Sequence, residues 1–147
     1  MLNSVIVVDD EASIRTAVEQ WLGLSGFQVQ LYSRAEECLA ELPAHFPGVI
    51  LSDVRMPGMD GLQLLAQLQA RDADLPVILL TGHGDVPMAV EAMRTGAYDF
   101  LEKPFSPESL LDSLRRALEK RRLVLENRRL HEQADLKSRL ETSLLGM

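Results

Sequence analysis

The chain has 147 residues, a formal net charge of −7, 46% apolar residues and 25% charged ones. Those proportions exclude a disordered chain, a collagen-like repeat and a disulfide-stapled scaffold, and they leave room for one domain with an extension. The single cysteine, Cys38, cannot form an internal bridge, so a reducing, cytoplasmic setting is expected.

In chain order, Val5–Val8 is an unbroken β-branched run, the pattern of a buried parallel strand. Asp9, Asp10 and Glu11 follow it, where a secretory signal would carry no such acids. Residues 12–24 place Ile14, Ala17, Val18, Trp21 and Leu22 on one helical face, stopped by Gly26. Residues 27–31 read as a second strand. Ser33, Ala35 and Glu36 have the spacing of a capping box, opening a helix that runs through Leu42. Val49–Leu51 is a third buried strand, and Asp60-Gly61 opens a helix carrying Leu62, Leu64, Leu65 and Leu68. Val77–Leu80 is the fourth strand. Asp85 can cap the next helix, with Pro87 in its first turn and Gly96 at its end. Residues 98–101 form the fifth strand, and Ser106-Pro107 starts the last helix. No apolar run reaches the roughly 20 residues a bilayer span needs, so no membrane association is expected.

Five strand–helix units of this spacing predict an α/β fold, a doubly wound five-stranded parallel sheet of order 2-1-3-4-5. They are too few for an eight-fold barrel. In such sheets ligands bind beyond the carboxyl ends of the strands. Asp9-Asp10, Ser52-Asp53, Thr81-Gly82 and Glu102-Lys103-Pro104 all stand at strand ends. The predicted order brings Asp9, Asp10 and Asp53 to one edge. Taken singly, each has a plainer role: Asp10 a helix cap, Lys103 a surface charge, Thr81 a hydroxyl bonded to backbone. Taken together they form a site. At ~4 Å and an effective dielectric of about 20, each carboxylate pair repels by about 4 kcal/mol. A proton or a cation must relieve that, and Mg2+ suits few carboxylates with several waters.

No serine or cysteine has an evident base, and His45, His83 and His131 match no zinc spacing. No phosphate loop of the Gly-Lys type is present. What remains is a carboxylate nucleophile beside a metal, able to take a phosphoryl group as an acyl phosphate. Lys103 would neutralise charge on that group, and the Thr81 hydroxyl could be drawn to it.

Val7 to Glu11, Asp53-Val54-Arg55-Met56-Pro57-Gly58-Met59-Asp60-Gly61, Thr81-Gly82 and Lys103-Pro104-Phe105 together resemble the receiver domain of bacterial two-component response regulators. The resemblance covers residues 1–122. It implies that Asp53 is the phosphoacceptor, that a sensor histidine kinase is the donor, and that the domain is not an enzyme acting on other substrates. It further implies that Asp10, Asp53 and the backbone carbonyl of Arg55 bind Mg2+, with Asp9 assisting through water. Lys103 pairs with the phosphoryl group, Thr81 is the switch hydroxyl, and Phe100 occupies the position of the switch aromatic. A cis bond before Pro104 is also implied.

Residues 1–114 hold six basic and 17 acidic side chains, whereas residues 115–147 hold nine basic and five acidic. An acidic body is a poor nucleic-acid binder, and the mixed charges of the tail suit a solvated helix, so this chain is not expected to bind nucleic acid directly. The last helix packs Leu110, Leu111, Leu114 and Leu118 on the sheet. Beyond it, Leu123, Asn127, Leu130 and Ala134 follow the a/d spacing of a coiled coil, so residues 123–147 read as a dimerisation linker making a homodimer. Lys137 breaks that seam, and Leu136, Leu140 and Leu144 could resume it. The plainer alternative is a lone helix folded back on the body. Residues 81–93, Ala97–Phe100 and 124–130 resemble the NtrC subgroup. That resemblance implies a linker leading beyond Met147 to an AAA+ ATPase that acts on sigma-54 RNA polymerase.

Three rivals remain. An aspartate-nucleophile phosphatase usually needs an acid two residues after the nucleophile, where Arg55 stands. A flavin module needs a phosphate loop where Asp9 and Asp10 would repel phosphate. A receiver feeding a helix-turn-helix or protein-docking output differs only beyond residue 147.

Overall fold

The computed structural model describes residues 3–145, with side chains through Glu141. Strands and helices alternate as β1 (Ser4–Val8), α1 (Ala12–Leu24), β2 (Gln28–Tyr32), α2 (Ala35–Glu41), β3 (Gly48–Asp53), α3 (Gly61–Arg71), β4 (Val77–Thr81), α4 (Val86–Thr95), β5 (Asp99–Glu102) and α5 (Pro107–Leu145). A 3-10 turn, His83–Asp85, precedes α4. The sheet is parallel in the predicted order β2-β1-β3-β4-β5.

The side-chain period of two divides each strand between two helical layers. Ile6, Val8, Ile50 and Leu79 pack with α2, α3 and α4, while Val5, Val7, Val49, Leu51 and Ile78 pack with α1 and α5. Helices on both faces bury β3 and β4 throughout, which is why those strands read as continuous apolar runs. α1 ends through Gly26 at φ 85°, and the Phe27 amide donates to the Leu22 carbonyl at 3.0 Å. Phe27 thereby closes the helix, and β2 begins one residue later than its sequence pattern suggests. β5 likewise starts at Asp99 rather than Tyr98.

Two predicted caps are corrected. The Ser33–Glu36 capping box does not form: Arg34 precedes α2 without a side-chain cap bond. Glu36 instead accepts the Met59 amide at 2.7 Å, tying α2 to the β3–α3 loop. Asp85 stands before α4 but caps nothing, because Arg55 Nε donates to its carboxylate at 2.7 Å. Asp60 and Ser106 act as expected. Asp60 forms a complete capping box with Gln63, and Ser106 Oγ accepts the Ser109 amide.

α5 runs unbroken for 39 residues. Leu110, Leu114 and Ala117 are buried against the sheet, and Leu111 and Leu118 pack at the margin of the same cluster. Leu123 and Leu130 are more than half exposed, as are Leu136 and Leu140, and Asn127 and Ala134 are exposed. Leu144 lies outside the described side chains. Among the described residues the extension does not fold back: every side chain from Arg129 to Glu141 is exposed.

Candidate functional site

β1 and β3 are neighbours, and both end at the same edge of the sheet. Their ends carry Asp9 and Asp53 there, with Asp10 one residue on. One carboxylate oxygen from each of these three lies within 4.8 Å of the others. Asp9 is fully buried, Asp53 is 7% exposed and Asp10 faces solvent. Asp10 caps no helix; Glu11 precedes α1, and its amide donates to Asp9 Oδ1 at 2.9 Å.

Lys103 follows β5, two strands from Asp53. Its Nζ reaches back to donate to Asp9 Oδ2 at 3.1 Å and stands 3.5 Å from Asp53 Oδ1 and 3.5 Å from Glu11 Oε1. The Lys103–Pro104 bond is cis, as the resemblance implied. Burial pushes the Asp53 carboxyl up from 3.8 to about 6, helped by the charge on Asp9 and opposed by Lys103. Burial likewise raises Asp9, against the Glu11 amide and Lys103. Burial alone would lower Lys103, but Asp9 and Asp53 outweigh it and hold the amine above its ordinary value. One ammonium therefore does not neutralise the acids around it. Three converging carboxylate oxygens, two of them desolvated, make a donor set that fits a hard divalent cation.

Thr81, at the end of β4, is fully buried, and its hydroxyl donates to the Gly82 carbonyl at 3.1 Å rather than to Asp53. Phe100 lies on β5 opposite Leu79 and packs half-buried against the α2–α4 layer. Gly61 opens α3 against the back of β3, and a Cβ there would lie 2.1 Å from the Asp53 carbonyl. His45, His83 and His131 are exposed and stand apart from one another; His83 pairs with Glu102 at 2.7 Å, and His45 Nδ1 lies 3.0 Å from Arg128 Nη1.

A family model described as the response regulator receiver domain matches residues 5–115. The chain belongs to that family. Receivers of two-component response regulators generally bind Mg2+ in an acidic pocket such as this one. The receiver is 54% identical over 147 residues to the C4-dicarboxylate transport transcriptional regulatory protein DctD of Pseudomonas aeruginosa, covering 97% of this chain and 32% of that protein. It is also 54% identical to the DctD of Rhizobium meliloti, covering 92% and 29%. It therefore spans about a third of the length of these curated relatives. The solved structure of response regulator StyR superposes with a TM-score of 0.82 at 37% identity, over 97% of this chain and 71% of that one. The NtrC-subgroup resemblance agrees with these matches and with those to NtrC itself. Among the described residues no helix is long and apolar enough to cross a membrane.

Sequence reasoning passed over three residues of the site. Glu11 supplies a fourth acid beside Lys103. Arg15 Nη1 donates to the Asp9 carbonyl at 2.6 Å and so anchors the strand end. The Arg55 side chain, weighed in the sequence only as a non-acid at that position, reaches Asp85 and the Met88 sulfur at the start of α4. The run Asp9-Asp10-Glu11 was a usable signal for the first. The arginine contacts have no local signature.

Proposed function

We propose that this receiver accepts a phosphoryl group on Asp53 from the phosphohistidine of a sensor kinase. An Asp53 carboxylate oxygen attacks phosphorus, the P–N bond to the imidazole breaks, and an acyl phosphate remains. The observation that carries this reading is Lys103 Nζ, 3.1 Å from Asp9 and 3.5 Å from Asp53, beside three converging carboxylates. Asp9, Asp10, Asp53 and the Arg55 carbonyl would hold Mg2+. When bound, that ion neutralises the equatorial phosphoryl oxygens and offsets the charge of the acids. Lys103 orients the incoming group, and the buried strand end excludes competing water.

The acyl phosphate adds roughly −1.5 to −2 charge and three acceptor oxygens. Thr81 exchanges its bond to the Gly82 carbonyl for one of those oxygens, drawing in the loop before α4. Phe100 repacks into the space that loop vacates. Residues 1–122 constitute the phosphoacceptor domain and residues 123–147 the linker. Two copies pair through Leu123, Asn127, Leu130 and Ala134, and phosphorylation shifts that pairing. In the cytoplasm the shift controls a downstream AAA+ ATPase that acts on sigma-54 RNA polymerase. The DctD and NtrC likenesses support this output over a helix-turn-helix. The chain works as a regulatory module whose only chemistry is gain and loss of its own phosphate.

Intact mass after incubation with acetyl phosphate and Mg2+ tests the reading. Wild type should gain one phosphoryl group and Asp53→Ala none. Equal gain in both removes Asp53 from its role.

A further inference from the structure

The sheet's far end, opposite the acidic site, carries a second cluster of charges. Along α5 the buried positions Leu110, Leu114 and Ala117 continue with Arg121, which is 1% exposed, and two turns later with Arg128 on the same face. Both guanidinium groups meet one carboxylate, Asp72, in the loop between α3 and β4. Arg121 Nη2 donates to Asp72 Oδ2 at 2.7 Å and its Nε to the Phe46 carbonyl at 3.0 Å. Arg128 grips the same carboxylate with both terminal nitrogens, at 3.0 and 2.7 Å, and touches Asp74 and His45.

Asp72 is itself fixed. Its amide donates to the Leu68 carbonyl at 2.8 Å, and its Oδ1 also accepts the Asp74 amide at 3.1 Å. We infer that Asp72 is a positioning residue that sets the direction in which α5 leaves the receiver body.

Leu110, Leu114 and Ala117 hold the first three turns of α5 on the sheet, and the two arginine contacts, seven residues apart or about 10 Å along the axis, carry that hold past the last buried apolar side chain to Arg128. Among the described residues, the ion pairs and hydrogen bonds of α5 beyond Arg128 stay within the helix, so Arg128 is the last tether. About 25 Å of helix follows it, so a tilt of 10° moves the far end by about 4 Å. That displacement is comparable with half an interhelical spacing, enough to change which faces of two linkers can meet. Asp72 is also hard to replace. Among the described residues Arg121 Nη1 already lacks a partner, so loss of Asp72 leaves a buried guanidinium without its counter-charge.

The test is pulsed dipolar spectroscopy on a Cys38→Ala background, with spin labels at Gln20 and Gln133. Both positions are exposed, one on α1 and one on the extension. Labelled protein diluted in unlabelled protein reports the distance within one chain. Arg128→Met leaves the Arg121–Asp72 pair in place and should widen the distance distribution at least twofold, with the melt still cooperative. Asp72→Asn should widen it further, and adding Arg128→Met to Asp72→Asn should widen it no more. Should Asp72→Asn fail to fold, Arg128→Met decides alone. A distribution unchanged in Arg128→Met, with only the melting temperature lowered, makes the cluster a plain stabilising contact and overturns the inference.

Discussion

At the scale of the residue, Asp53 is held in a form it resists. Its carboxyl is raised from 3.8 to about 6 by burial, with the charge on Asp9 adding to it and Lys103 opposing. A folded-state value above the unfolded one means that the folded protein binds the proton more tightly. Stability from this group is therefore fully present below about pH 4 and is lost as pH rises to about 6. At neutral pH the penalty is on the order of 2–3 kcal/mol. Asp53→Asn removes it. Without divalent cations the variant should melt several degrees above wild type at pH 7.5, at about 3 °C per kcal/mol for a chain of this size. The gap should close towards pH 4, and added Mg2+ should raise wild type more than the variant. A melting difference that is flat across pH, read by circular dichroism, would separate the site from this electrostatic cause.

At the scale of the element, β3 and α3 are packed so closely that the junction admits only glycine. A Cβ on Gly61 would stand 2.1 Å from the Asp53 carbonyl and 2.9 Å from the Val54 Cα. Both are backbone atoms, so nothing rotates away. Gly61→Ala should cost about 2 kcal/mol or more through backbone displacement. It should also slow acyl-phosphate formation, because the strand that must shift is the one carrying Asp53. Urea denaturation gives the first quantity, and the rate of mass gain with acetyl phosphate gives the second. A variant as stable as wild type would mean that α3 slides away freely.

The elements also explain what could be read in advance. β1, β3 and β4 were legible because burial on both faces makes each a continuous apolar run. Asp60 was legible because its cap partner, Gln63, lies three residues away. Glu36 and Asp85 misled because long-range partners take them: the Met59 amide 23 residues on and Arg55 30 residues back. A capping rule sees only the neighbouring turn. Lys103 and Asp9 lie 94 residues apart, yet strand order alone places both at one edge; their direct hydrogen bond, as distinct from that shared edge, was not expected. Arg121 was not foreseen. In sequence it sits in a run of basic residues that suggests a solvated surface. Only the buried stripe of Leu110, Leu114 and Ala117, extended by one step, marks it as interior.

At the scale of the whole molecule, α5 offers its apolar side chains to two directions at once. At 100° per residue, Leu123, Asn127, Leu130 and Ala134 fall within about 60° of one another, facing away from the stripe of Leu114 and Arg121. The receiver body therefore leaves that seam open to a second copy. Leu136 and Leu140 fall on a different stripe, so they extend the bulk of the helix but not this seam. Two paired heptads would give a weak interface, to which each leucine buried there would contribute roughly 1.5–3 kcal/mol. On the dimer reading proposed above, Leu130→Lys should weaken association by about 10- to 100-fold while leaving phosphorylation of Asp53 intact. Asn127→Leu should act in the opposite sense. It strengthens association but gives up the buried amide that selects two parallel strands in register, so larger oligomers should appear beside the dimer. Sedimentation velocity over a range of concentrations measures both. If wild type sediments as a monomer throughout, and Leu130→Lys is indistinguishable from it, the exposed leucines serve something other than pairing of two receivers.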